Sequence, residues 1–439
     1  MRVQRSAAGL WQMLHTRRWL LVAPSLALWW MLGQVDKINI SLVIADPSFL
    51  QELKLQGRYG ELGGLMSAFL LGYGASVFLW GFLVDRFGPR RCLIAGTACW
   101  VFIMLAMSRA TTLEELLAAR FLLGAAEGNM WPVSNALTNR WFPSREHSRA
   151  QTFWLSGASL GTTVGVPLVT GLIAASSWRG MMAALAAISL VVIVNFSFIA
   201  NQPRSQKGMR PSEVEEIESD RNSAGAVPLM SFRELLRSAS FWLITVCMII
   251  AVTTIFTMIQ WTPSFVTAER HLTRESMSGT LTAGYAMATA VAMLMGYISD
   301  RTMQRALTAA GMSLAFTVLV LPAALLLPPV GGAVLLALLS ATPLATAALN
   351  GALLHTLVRP EAVARGTGIY SGVASIVPAL IGPYGFGKLI SALNGRYWGG
   401  FAFLAFLNLI GAGCYVALHR MSSRTAAVAA MASARERSE

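Results

Sequence analysis

GFLVDRFGPRR, from Gly81 to Arg91, is an apolar run that ends in a burst of charge, and its pattern returns half a chain later. In the second copy, GYISDRTMQR at 296–305, Gly296 stands at the place of Gly81, Asp300 at Asp85, Arg301 at Arg86 and Arg305 at Arg90. Each copy sits where an apolar stretch gives way to a polar loop. Internal repetition of this kind in an apolar chain is a mark of secondary transporters, whose halves rock about a site near the midplane.

Working outward from the repeat, the chain has 439 residues, of which 55% are hydrophobic and 13% charged. A soluble globular chain carries about 25% charged residues, so the composition predicts an all-α polytopic membrane protein. A crossing takes about 20 apolar residues. Stretches of that length can be marked at 19–44, 60–84, 92–108, 113–140, 148–175, 178–200, 239–266, 276–298, 306–327, 331–358, 365–392 and 398–419. That pattern predicts an N-terminal six-helix half over 1–200, a polar linker over 201–238, a C-terminal six-helix half over 239–419 and a tail over 420–439. Within the linker, SEVEEIES (212–219) has the pattern of a short surface helix with Ser212 as cap and Glu215 as its partner. The linker as a whole reads as a solvated strap whose charges keep it off the membrane.

The net charge of +13 does not indicate nucleic acid, because the basic residues crowd onto the side that holds the termini and the even-numbered loops. Arg17, Arg18, Arg86, Arg90, Arg91, Arg140, Arg145 and Arg149 are examples. By the positive-inside rule both termini are cytoplasmic, and the expected location is a bacterial-type cytoplasmic (inner) membrane. The cysteines Cys92, Cys99, Cys247 and Cys414 lie in apolar stretches without metal-ligand spacing. No phosphate-binding G-x-x-x-x-G-K-[ST] sequence is present. The reading is therefore of a chain that is not an enzyme, with no cofactor and no metal, a monomer whose surroundings are lipid.

Sorting every charge leaves four deep within spans: Asp36, Lys37, Arg120 and Glu127. All lie in the first third of the chain. In RFLLGAAEG (120–128) the arginine and glutamate are two helical turns apart and share a face. A charge at the bilayer centre costs roughly 2.5–3.5 kcal/mol or more, so intramembrane ionisable groups are functional by default. A guanidinium presents a fork of donors suited to a carboxylate. Burial favours a neutral carboxyl while a neighbouring cation favours the charged one, so a substrate anion that engages the cation would let Glu127 take a proton. Asp36 offers the same chemistry beside Lys37.

The chain resembles the major facilitator superfamily over essentially its full length. The signature of that superfamily between helices 2 and 3, G-x-L-x-D-R-x-G-x-[KR]-[KR], is matched by GFLVDRFGPRR. It more closely resembles the anion:cation symporter branch. DKINIS (36–41) follows that branch's helix 1 pattern, and Arg120, Gly124, Glu127 and Pro132 follow its helix 4 pattern. WFPSREHSRA (141–150) nearly matches the exit sequence, with His147 where arginine is usual. The resemblance implies import of sugar acids or other small carboxylates together with protons, with the acids Asp36 and Glu127 tied to proton coupling. Lys37 departs from the commoner arginine and gives up the bidentate fork.

Further candidates for the substrate's polar groups are Gln34, Asn39, Asn129, Ser134 and Asn135 in the first half. In the second half they are Gln260, Trp261, Tyr285, Asn350, His355, Tyr370 and Ser371. The repeated motif, with Gly81, Asp85, Arg86, Gly88, Arg90, Asp300 and Arg301, is expected to set the inward/outward balance, Asp85 pairing with an arginine such as Arg140. The expectation is a proton-coupled importer of a small organic anion, with substrate and protons meeting in a cavity between the halves. The rival readings are a proton-coupled exporter or antiporter of amphipathic compounds and a non-transporting sensor on the same fold.

Overall fold

The computed structural model describes residues 16–223, 237–357 and 360–436, and every regular element among them is helical. The helices of the first half are α1 (Ala23–Val43), α2 (Tyr59–Phe87), α3 (Pro89–Met107), α4 in two pieces (Leu113–Glu127 and Met130–Trp141), α5 (His147–Ala175) and α6 (Trp178–Ser197). Those of the second half are α7 (Ala239–Ala268), α8 (Arg274–Thr302), α9 (Arg305–Leu325), α10 in two pieces (Pro329–Leu339 and Ala341–Leu357), α11 in two pieces (Pro360–Ile381 and Pro383–Ala392) and α12 (Trp398–Glu436). Ten stretches among the described residues are long and apolar enough to cross a membrane. The two that fall outside that set are α1 and α4, the helices that carry the four deep charges. With them the spans number twelve, in two sets of six.

Local chemistry sets where these helices begin and stop. Thr112 and Glu115 form a reciprocal capping box at the start of α4, and Ser177, Ser238 and Thr273 cap α6, α7 and α8. Each cap satisfies backbone N–H groups that the first turn leaves without partners. Between α2 and α3 the repeated motif makes the break itself. Gly88 has φ +85° and ψ 153°, a conformation open to glycine, and Pro89 starts α3 with its ring at the first helical position. The second copy turns at the corresponding residue too, where Met303 adopts φ +58°.

The chain divides into two compact units. One comprises Met1–Lys54 and Ala68–Ala226, the other Leu55–Ser67 and Val227–Glu439. The first turns of α2 therefore pack with the second unit and the rest of that helix with the first.

The linker differs from a solvated strap. Residues Pro211–Ser223 form a helix that begins before Ser212, and one of its faces is bound to other segments of the first unit. Glu213 accepts from the backbone N–H of Arg18 at 3.1 Å, and Ile217 is buried. Arg18, read from the sequence only as a topology signal, is 3% exposed. Its guanidinium donates to both oxygens of Glu146, at 3.0 and 3.1 Å, and to Glu216 at 3.0 Å. The Trp19 indole also donates to Glu146, at 2.9 Å. At the far end of the helix the Ser144 backbone N–H and hydroxyl both donate to Asp220 at 2.7 Å, holding its carboxyl below the usual range. The acids at 213, 216 and 220 recur at helical spacing beside the buried Ile217, which gives the bound face of this helix an acidic stripe. The linker departs from expectation because Arg18, just before α1, and Arg145, just after α4, supply the complementary charges.

Candidate functional site

Helix α1 carries Asp36, Lys37 and Asn39, all buried, and α4 carries Arg120 and Glu127, at 0% and 1% exposure. The structure brings the four charges into one cluster within the first unit. The Lys37 ammonium is paired with the Glu127 carboxylate and also donates to the Gly33 carbonyl at 3.0 Å. Arg120 donates to the backbone carbonyl of Asp36 at 3.3 Å. Asn39 donates to Asp36 Oδ1 at 3.3 Å. Asp36 Oδ2 and Glu127 Oε1 are buried without a hydrogen-bond partner among the described residues. A carboxylate oxygen in that condition costs folding energy unless a proton or another donor arrives.

The patterns in the sequence acquire physical reasons here. A Cβ on Gly124 would lie 2.0 Å from the Phe69 carbonyl oxygen, and one on Gly72 would lie 2.0 Å from that of Phe121. Helices α2 and α4 thus touch backbone to backbone, which only glycine permits, and α4 can present Arg120 and Glu127 at that depth. Pro132, lacking an N–H, follows the break at Gly128–Asn129. The Asn129 side chain donates to the Cys92 carbonyl at 2.9 Å, tying the break to α3.

Aromatic rings surround the cations. Phe69 lies 4.9 Å from the Arg120 guanidinium and 5.3 Å from the Lys37 ammonium, ring centroid to charge. Tyr73 stacks on Phe69 and lies 5.9 Å from Lys37. Nearby Trp30 stacks on Trp154, meets Trp131 edge-on and donates to Ser134 at 2.9 Å. Neither Phe69 nor Tyr73 was conspicuous in the sequence, because an aromatic residue in an apolar span is ordinary core. The one available signal was the glycine seven or fewer positions away on each helix, which marks a close crossing.

The remaining candidates are dispersed. Gln34 is half-buried and Asn135 exposed. In the second unit the Gln260 amide donates to the Leu62 carbonyl at 3.1 Å, and its own oxygen has no partner among the described residues. Trp261 donates to the Pro383 carbonyl at 2.9 Å and stacks on Phe386, with Tyr59 and Tyr397 against it. Asn350 accepts from the Tyr415 hydroxyl at 2.9 Å in an apolar cluster that also holds Tyr370. The hydroxyls of Tyr285 and Tyr370 are buried and have no partner among the described residues. The side chains of His355, Ser371 and Asp300 lie outside the described residues.

Around the repeated motif, Asp85 and Arg86 are exposed, and Asp85 forms no ion pair among the described residues. The Arg90 guanidinium donates to the Phe196 carbonyl at 3.1 Å and to that of Ser197, while its backbone N–H donates to Asn201. Gly81 is half-buried, and Arg301 donates to the Tyr297 hydroxyl at 3.5 Å.

Comparison with known proteins places this arrangement. The chain is 27% identical over 295 residues to a protein of Cupriavidus necator named "Probable sulfoacetate transporter", a match covering 66% of this chain and 64% of that one. It is 26% identical to the hexuronate transporter of Bacillus subtilis over 58% of this chain and 59% of that one. It is 23% identical to the "Probable L-galactonate transporter" of Escherichia coli, over 59% of this chain and 57% of that one. The matches thus span less than two thirds of these relatives' lengths. Among solved structures, an inward-facing, unoccupied bacterial homolog of the human lysosomal transporter Spinster superposes with a TM-score of 0.68 at 15% identity, covering 91% of this chain and 96% of that one. The family model of the Major Facilitator Superfamily matches residues 19–344. With twelve helices in two sets of six and that match across most of its length, the chain belongs to the Major Facilitator Superfamily.

Proposed function

We infer that the protein is a secondary transporter that imports a small organic anion, a sugar acid or similar carboxylate, by proton symport with alternating access. It would do so in a bacterial-type inner membrane with both termini cytoplasmic. The observation that carries this reading is the buried Lys37–Glu127 pair beside Asp36 and Arg120. The relatives named for sulfoacetate, hexuronate and L-galactonate support the substrate class.

Charge accounting explains why anion and proton would travel together. Two cations and two carboxylates make the empty cluster neutral. A monoanion entering alone would leave a net negative charge in a dry site, and isolated buried charge is strongly disfavoured. An anion that takes Lys37 from Glu127 leaves that carboxylate without its counter-charge, and a proton from solvent restores neutrality. A dianion would need both Glu127 and Asp36 to be protonated. The repeated motif serves in this reading as the conformational balance, through Gly81, Asp85, Arg86, Gly88, Arg90, Asp300 and Arg301.

Proteoliposomes carrying the purified protein test the proposal with galacturonate, L-galactonate and sulfoacetate, each with and without an inward proton gradient. Gradient-driven accumulation of at least one anion is expected. Arg120→Gln should weaken its binding by about a hundredfold, the scale of a lost charge-assisted bidentate contact. Glu127→Gln should abolish accumulation while leaving counterflow exchange. Full affinity in Arg120→Gln, or undiminished accumulation in Glu127→Gln, would overturn the assignment.

A further inference from the structure

Lys37 and Arg120 belong to different helices, and what they share is a ring. Phe69 on α2 is fully buried, with its centroid 5.3 Å from one cation and 4.9 Å from the other. Its backbone is fixed in place, since Gly124 of α4 lies directly against the Phe69 carbonyl and Gly72 against that of Phe121. Tyr73, one turn along, stacks on the ring at 6.1 Å with 30° between the planes.

We propose that Phe69 is a positioning residue for anion capture, whose π face holds Lys37 and Arg120 in place while Lys37 exchanges Glu127 for the substrate. The inference rests on the proposed import function and deepens it. Two like charges in a dry site repel, and each needs a stabilising neighbour. A carboxylate at position 69 would supply one, but it would cancel the charge that attracts the anion. An aromatic face attracts a cation through its quadrupole while remaining neutral. It therefore steadies both cations without competing for them. At the moment when Glu127 has lost Lys37 and the anion has not fully engaged, the ring is the neighbour that does not change.

The test replaces Phe69 with 4-fluoro-, 3,5-difluoro- and 3,4,5-trifluorophenylalanine, which weaken the π face in steps at nearly constant shape. The probe is whichever of galacturonate, L-galactonate and sulfoacetate the wild type accumulates. KM should rise step by step, reaching about tenfold at the trifluoro residue, while kcat for counterflow changes by less than about twofold. Phe69→Leu should equal or exceed the trifluoro effect, and Phe69→Trp should recover most of the affinity. A KM that is flat along the fluorinated series would overturn the proposal, since filler side chains are indifferent to the quadrupole. If the wild type accumulates none of the three anions, it is the import reading that fails. The ring is then read without substrate, from the pH midpoint of the infrared carboxyl band that disappears in Glu127→Gln. A midpoint that moves along the series supports positioning of Lys37 by Phe69, and a fixed midpoint overturns it.

Discussion

At mid-helix the first unit buries Asp36, Lys37, Arg120 and Glu127, whereas the second unit buries Thr253, Thr257, Gln260, Thr262 and Tyr285. Both sets include polar atoms with no partner among the described residues, yet the consequences differ. A hydroxyl can return its hydrogen bond to the helix backbone, as Thr254 does to the Ile250 carbonyl at 2.8 Å. A buried cation can do the same, as Lys37 does to the Gly33 carbonyl at 3.0 Å, but its charge still calls for a counter-charge, which Lys37 finds in Glu127 on another helix. The first unit thereby holds buried charges paired across helices, while the second buries neutral polar groups. Both units nonetheless turn their repeated motif with positive φ, at Gly88 and at Met303.

The largest expected effect contrasts the two kinds of buried group. Lys37→Met leaves Glu127 buried without its cation and should destabilise the protein by about 3–5 kcal/mol. Asn350→Leu removes the acceptor of the Tyr415 hydroxyl and should cost about 1–3 kcal/mol. Unfolding midpoints in detergent measure both. The Lys37→Met/Glu127→Gln double variant, with no charge left unpaired, should recover most of the loss. If Lys37→Met costs no more than Asn350→Leu, the contrast between the units fails.

A smaller effect sharpens the comparison of the repeats. At Gly88 the backbone takes a conformation that alanine resists, so Gly88→Ala should destabilise by about 1–3 kcal/mol. At Met303 the left-handed conformation is already occupied by a side chain, so Met303→Gly should relieve strain. Its net gain should be no more than about 1 kcal/mol, because glycine also loosens the unfolded chain. Opposite signs of the two changes in one denaturation assay are the expected outcome.

The smallest effect concerns the linker helix. The Ser144 donors hold the Asp220 carboxyl below its ordinary range, so its contribution to docking is complete at neutral pH. It is lost as pH falls below about 4, through that lowered value. Asp220→Asn should therefore raise the rate of proteolysis within 201–223 at neutral pH by only about twofold, the scale of an exposed contact. The difference from wild type should vanish in acid.

How much could be read in advance depends on the kind of signal. The twelve spans follow from composition because lipid excludes long polar stretches, and the four deep charges stand out because the other charged residues of those spans lie near their ends. Gly124 and Pro132 were visible as a pattern but without their reasons. Phe69 was invisible, since its significance comes from standing beside two cations on helices far apart in sequence. The linker was read as solvated because its acids are ordinary for a surface. Arg18 and the Ser144 donors that bind them are more than 70 residues away.

The sequence by itself determined the membrane class, the two sets of six helices, the turn of the repeated motif and the short roster of charged groups from which a site must be drawn. Each of these is local, governed by hydropathy, helical period or the chemistry of a single turn. Only the tertiary structure decided which cation meets which carboxylate, which ring holds the cations and which face of the linker helix is bound. Those pairings depend on how closely helices approach, and that distance is set by glycines whose effect appears only when another backbone lies against them.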